Sequence, residues 1–108
     1  MSDKIRCTRK GDEFQVSFLT AKLDIFCAAD ITETFAGEFE KSGSGARRVA
    51  FLLHNVEQID STVLGFLVRT HIRLGRNGVR TILRNPSPGI AGVLRTSGLD
   101  RDFTIENA

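Results

Sequence analysis

Hydrophobic and polar positions first alternate with a period of two. Phe14-Gln15-Val16-Ser17-Phe18-Leu19 predicts a strand with one buried face. Ahead of it, residues 4–10 (KIRCTRK) place Ile5 and Cys7 on one face of an edge strand, and Gly11-Asp12 between the two runs reads as a turn, so they form a hairpin. After Leu23 the period lengthens. Ala28, Ile31, Phe35 and Phe39 recur at three- and four-residue steps, which predicts a helix capped by Asp24 and running to about Lys41. Asp30, Glu33, Glu38 and Glu40 fall on its other faces. Ser42-Gly43-Ser44-Gly45 lacks the Lys-Ser/Thr ending of a phosphate loop and follows a helix, so it reads as a flexible connection.

Arg47 to Leu53 is a nearly continuous apolar run, the pattern of a strand buried in a parallel sheet. A polar connection leads to Asp60-Ser61-Thr62 and a helix from near Ser61 to about Arg76. Leu64, Leu67, Val68, His71 and Leu74 are placed toward the sheet, with Arg69, Arg73 and Arg76 opposite. Asn77-Gly78 stops this helix, and Val79 to Leu83 is a short strand. Pro86 and Pro88 introduce a third helix through Ile90, Val93 and Leu94, which Gly98 ends; Phe103-Thr104-Ile105 is a last strand. Two strands followed by alternating helices and strands predict one α/β domain over residues 1–108. Its central mixed sheet has about five strands, mostly parallel, with an N-terminal hairpin, right-handed crossovers and three or four α-helices.

Composition narrows the class. With 108 residues the chain can enclose one core, and 41% hydrophobic with 26% charged residues is ordinary for a globular protein. Phe supplies every aromatic side chain, so base-stacking platforms are not evident, and a net charge of +2 does not argue for nucleic acid. The positive excess lies in residues 55–108, with seven Arg against five Asp/Glu, where residues 1–54 balance eight against eight. Cys7 and Cys27 stand alone and read as small hydrophobes in a reducing compartment. No signal-peptide pattern opens the chain and no apolar run nears 18 residues, so a cytoplasmic protein without membrane insertion is expected.

Candidate chemistry concentrates at Asp60-Ser61-Thr62. A strand that ends in a loop and hands a hydroxyl to a helix start can hold a phosphate, because free backbone N–H groups and the helix dipole meet there. One cap explains one polar residue; three in succession leave hydroxyls for another use. Phosphate on Ser61 would add roughly −1.5 to −2 charges beside Asp60, which the helix start tolerates and a packed partner does not. Enzyme chemistry finds little support. His54 and His71 are the only imidazoles, no Gly-x-Ser-x-Gly elbow is present, and the His and Cys residues are scattered, so no catalytic group, metal or cofactor is expected. A response-regulator receiver needs an acidic cluster after its first strand, where Leu19-Thr20-Ala21-Lys22 stands. Arg69, Arg73, Arg76, Arg80 and Arg84 read as a solvated face, with a DNA-binding surface or an acidic protein partner as the alternatives.

The element order, with Leu23-Asp24 before the first long helix, Ile59-Asp60-Ser61-Thr62 before the second and Thr96-Ser97-Gly98-Leu99 closing the third, resembles the STAS domain. It looks most like the free-standing bacterial anti-sigma-factor antagonists. The motif Asp-Ser-Ser/Thr-Gly-x-Gly corresponds to Asp60-Ser61-Thr62-Val63-Leu64-Gly65, with Val63 in the place of a glycine. This resemblance implies partner switching. The unphosphorylated antagonist binds an anti-sigma factor that is also a serine kinase, phosphorylation at Ser61 (Thr62 being the second choice) abolishes binding, and a metal-dependent serine phosphatase restores it. It further implies that Asp60 and Gly65 shape the phosphosite and that Asp24, Thr62, Val63, Phe66 and Arg69 contact the partner. A weak homodimer is compatible with it. The same fold also serves as a non-phosphorylated subunit of transport or signalling assemblies, which is the alternative within the family.

Overall fold

The computed structural model describes residues 2–107. Strands β1 (Ile5–Lys10) and β2 (Glu13–Phe18) form the expected antiparallel hairpin around Gly11, whose φ of 57° suits a residue without a β-carbon. A two-residue strand β3 (Lys22–Leu23) precedes helix α1 (Ile25–Ser42). There follow β4 (Arg48–Leu52), a second two-residue strand β5 (Gln58–Ile59), α2 (Ser61–Arg76), β6 (Arg80–Arg84), α3 (Pro88–Thr96), a 3-10 turn (Leu99–Arg101) and β7 (Thr104–Glu106).

The main sheet has the order β1-β2-β4-β6-β7, antiparallel only at the hairpin. Because β2, β4, β6 and β7 advance in one direction, right-handed crossovers place α1, α2 and α3 on the same face. The core fills that face. Phe14, Val16, Phe18, Val49, Phe51 and Leu83 from the strands meet Ile31 and Phe35 of α1, Val63, Phe66, Leu67 and Leu74 of α2, and Ile90 and Leu94 of α3. Phe35 is the hub of the aromatic packing, with ring centroids 5.5 to 6.0 Å from those of Phe14, Phe39, Phe51 and Phe66. Edge-to-face and offset contacts of this kind add about 0.5–1.5 kcal/mol each beyond area burial.

The opposite face of the sheet carries charge in place of a helix layer. Glu13, Arg48 and Arg84 project there by alternation. The Glu13 carboxylate, nearly buried, accepts from Arg84 Nη1 and Nη2 at 2.8 Å and from Arg48 Nε at 2.9 Å, and Arg84 Nε also reaches Glu106 at 3.0 Å. A contact from β2 to β6 must cross β4, where the small Ala50 leaves room. This ion-pair layer accounts for the burial of Ala50 and Ile82, which lie outside the apolar cluster. The apolar run at 47–53 is therefore sandwiched between a hydrophobic core and a polar lid.

Two connections differ from expectation. Ser42 to Gly45 is tied down: Arg9 donates to the carbonyls of Gly11, Ser42 and Ser44 at 2.6 to 2.8 Å, and the buried Gly43 N–H returns to Phe39 O at 2.7 Å. The β3 and β5 strands, absent from the sequence reading, pair in parallel as a separate two-stranded sheet with Lys22 opposite Gln58 and Leu23 opposite Ile59. That small sheet positions the candidate site. Both cysteines are free thiols; burial, with Glu38 adding to it, pushes Cys7 up to about 11 and keeps it unreactive.

Candidate functional site

The parallel pairing of β3 with β5 sets the starts of α1 and α2 side by side, since each strand ends one residue before its helix cap. Asp60 N–H donates to Leu23 O at 3.0 Å, which locks the two exits together. Asp24 caps α1, its Oδ1 accepting from the Phe26 N–H at 3.0 Å. Asp60 serves both helices. Oδ1 accepts from the Val63 N–H at 3.0 Å in its own helix, and Oδ2 accepts from the Ile25 N–H at 2.9 Å in the other. With both oxygens engaged, Asp60 acts as a brace between helix starts.

Ser61 follows at the first helical position and is exposed. Among the described residues its hydroxyl has no hydrogen-bond partner, and neither His54 nor any other base bonds it. The N–H groups of Ser61 and Thr62 precede the first intrahelical bond, which Leu64 N–H makes to Asp60 O at 3.0 Å. Thr62 is half-buried beside it.

The next residues correct the expected contact set. Val63 is fully buried, and Phe66 is 4% exposed with its ring against Phe35 and Phe51. Both side chains support α2 from inside, Val63 wholly and Phe66 with a small part reaching the groove it shares with Thr32, Arg69 and Arg73. The buried stripe runs Val63, Phe66, Leu67, Thr70, Leu74, so the helix is rolled slightly from the phase expected, with Leu64, Val68 and His71 only half-buried. Gly65 is half-buried, and Arg69 is exposed and lies back over it.

Two residues at the corner escaped the sequence reading. Ile25 and Phe26, the first residues of α1, are 62% and 91% exposed. They lie off the stripe of Ala28, Ile31, Phe35 and Phe39, which was the available signal: large apolar side chains out of phase with the core. The Ile25 N–H bond to Asp60 sets this exposed apolar start of α1 next to the start of α2, where Ser61 carries its free hydroxyl. The arginine surface is also smaller than expected. Arg69, Arg73, Arg76 and Arg80 are exposed, but Arg84 is neutralised between Glu13 and Glu106 on the sheet.

The family model described as STAS domain matches residues 8–108. The chain belongs to the STAS domain family. Among solved structures it is similar to TM1081 from Thermotoga maritima, a candidate anti-sigma factor antagonist, with 26% identity over 96% of this chain and 86% of that one and a TM-score of 0.81. An anti-sigma-factor antagonist (STAS) domain protein from Planctomyces limnophilus superposes with a TM-score of 0.86, at 23% identity over all of this chain and 92% of the other. The Bacillus cell fate determinant SpoIIAA in its phosphorylated form gives 0.73, at 20% identity over 96% and 90%. No curated protein sequence matches the chain. The five-stranded, mostly parallel sheet with three helices is the STAS fold. In this STAS chain the residue that replaces the motif's glycine, Val63, points into the core, so its bulk does not crowd the Ser61 hydroxyl.

Proposed function

We propose that this chain is an anti-sigma-factor antagonist that works by partner switching, its unphosphorylated form binding an anti-sigma factor with serine kinase activity and Ser61 receiving the phosphate that ends binding. The observation that carries the reading is the division of labour at the corner. Asp60 spends both carboxylate oxygens bracing α1 to α2, while the neighbouring Ser61 hydroxyl is exposed and unpartnered. Phosphate added there alters the surface and leaves the brace intact, so binding can be switched without unfolding.

The apolar rim at the start of α1 supports a protein partner. Ile25 and Phe26 expose large side chains beside the acceptor, and exposed aromatics ringed by polar groups mark interaction surfaces. A partner seated on that rim lies against Ser61 and meets the added charge. Asp24, Thr62 and Arg69 belong to the same surface. A serine phosphatase would return the protein to its binding form, and the cycle belongs in the cytoplasm with its kinase and ATP. The domain's own part in it is non-enzymatic, as substrate and ligand. Incubation with the cognate kinase and ATP, followed by intact-mass analysis, tests the site: one added phosphate on the wild type and none on Ser61→Ala is expected, and equal labelling of both would refute it.

A further inference from the structure

We propose that Arg69 is the built-in counter-ion for a phosphate on Ser61, a role that rests on the phosphorylation reading and adds to it how the modified form is held. Ser61, Gly65 and Arg69 are spaced by four residues and share one ridge of α2. Side chains in a helix lean toward its N-terminus, and Arg69 does so over the one position in between that has no side chain. A β-carbon at Gly65 would stand 3.0 Å from Arg69 Nη1 and 3.9 Å from Cζ. The guanidinium thus rests one helical turn short of Ser61.

Residues four apart on a helix have β-carbons about 5–6 Å from each other. With the guanidinium beside Gly65 at the end of a flexible side chain, a phosphoryl group projecting from Ser61 comes within its reach. No carboxylate claims Arg69 among the described residues. Guanidinium is the cation whose planar fork matches phosphate. Need for a cation is also local, because the phosphate would stand next to the Asp60 carboxylate, whose oxygens face the two helix starts. Capture by the phosphate would withdraw Arg69 from a partner at the same moment as it adds negative charge, so one modification removes one attraction and creates one repulsion.

The test installs phosphoserine at position 61 during translation, so it does not depend on any kinase. Phosphorus NMR then reads the second ionisation of the phosphate in the wild type, Arg69→Gln, Arg69→Lys and Gly65→Ala. A free phosphoserine titrates near about 6. A cation beside it favours the dianion, so the wild-type value should lie lower, and Arg69→Gln should raise it by on the order of half a pH unit. Arg69→Lys should restore part of the difference, and Gly65→Ala, whose β-carbon the flexible guanidinium tip clears by a small shift, should stay near the wild-type value. The helix dipole acts equally in all four proteins and cancels. Identical ionisation in the wild type and Arg69→Gln overturns the proposal, whether or not a kinase acts on Ser61. Failure of kinase labelling would instead remove the switch and leave this comparison standing.

Discussion

The Asp60 carboxylate and the Ile25 N–H, 35 residues apart in the chain, meet at 2.9 Å, while the other oxygen of Asp60 holds Val63 in its own helix. One side chain thereby caps two helices. Asp60→Ala removes both bonds and leaves two helix-start N–H groups without this partner, where Asp24→Ala removes one. Helix caps contribute about 0.5–2 kcal/mol each. Asp60→Ala is expected to cost about 2–3 kcal/mol and Asp24→Ala about 1. Urea denaturation of the three proteins checks the order; equal midpoints for the two variants would remove the double-cap account.

Acid should attack the sheet at Glu13. Hydrogen bonding from Arg84, with smaller contributions from Gln15 and Arg48, holds its carboxyl at about 2 against the opposing effect of burial. An unfolded glutamate titrates near about 4.3. The folded value is the lower one, so the stabilisation is complete above that and is lost as pH falls toward 2. At about 1.4 kcal/mol per pH unit the swing is about 3 kcal/mol. Unfolding midpoints measured between about pH 5 and pH 2 should fall more steeply for the wild type than for Glu13→Gln.

Glycine substitutions separate two kinds of crowding. A β-carbon at Gly43 would meet the Phe39 ring and stand 2.6 Å from the Phe39 carbonyl oxygen, which is backbone of the last turn of α1. Gly43→Ala is expected to destabilise by about 1–3 kcal/mol, as overpacking does. At Gly65 the obstacle is the flexible tip of Arg69, which can move aside, and alanine is the better helix former by about 0.8–1 kcal/mol, so Gly65→Ala should be neutral to stabilising. Thermal unfolding of both proteins decides, and a larger loss at Gly65 would contradict the geometry.

Phe26 should matter to binding and not to folding. At 91% exposure its ring contributes little to the core. Phe26→Ser is expected to change stability by less than about 0.5 kcal/mol and to weaken partner binding by about 1–3 kcal/mol. Unfolding and calorimetric titration of the same preparation give the two numbers; unchanged affinity removes the apolar rim from the interface.

Periodicity carried most of the fold. The hairpin, three helices and parallel strands follow from side-chain patterns long enough to repeat, and Asp60-Ser61-Thr62 was visible as a helix start. The missing parts are those without repetition. Lys22–Leu23 and Gln58–Ile59 are two residues each, too short for alternation to register, and they are held by backbone bonds that any side chain allows. The second role of Asp60 depends on that pairing and is invisible from either segment alone. Val63 and Phe66 stand at positions that the family resemblance gives to partner contact, whereas the helical phase that includes Leu67, Thr70 and Leu74 buries them. Arg84 reads as a surface cation until β2 and β6 are known to flank β4, which brings it to Glu13, 71 residues away.

Charge placed on Ser61 should dismiss the partner while the domain stays folded. Calorimetric titration of the cognate anti-sigma kinase with the wild type and with protein carrying phosphoserine at 61 tests it most directly. Tight binding of the wild type is expected, with a loss of about 2–5 kcal/mol, or at least about thirtyfold in affinity, for the phosphorylated form. Ser61→Asp, which carries less charge, should fall between them. Equal affinity of the phosphorylated and unphosphorylated proteins, both folded, would contradict it.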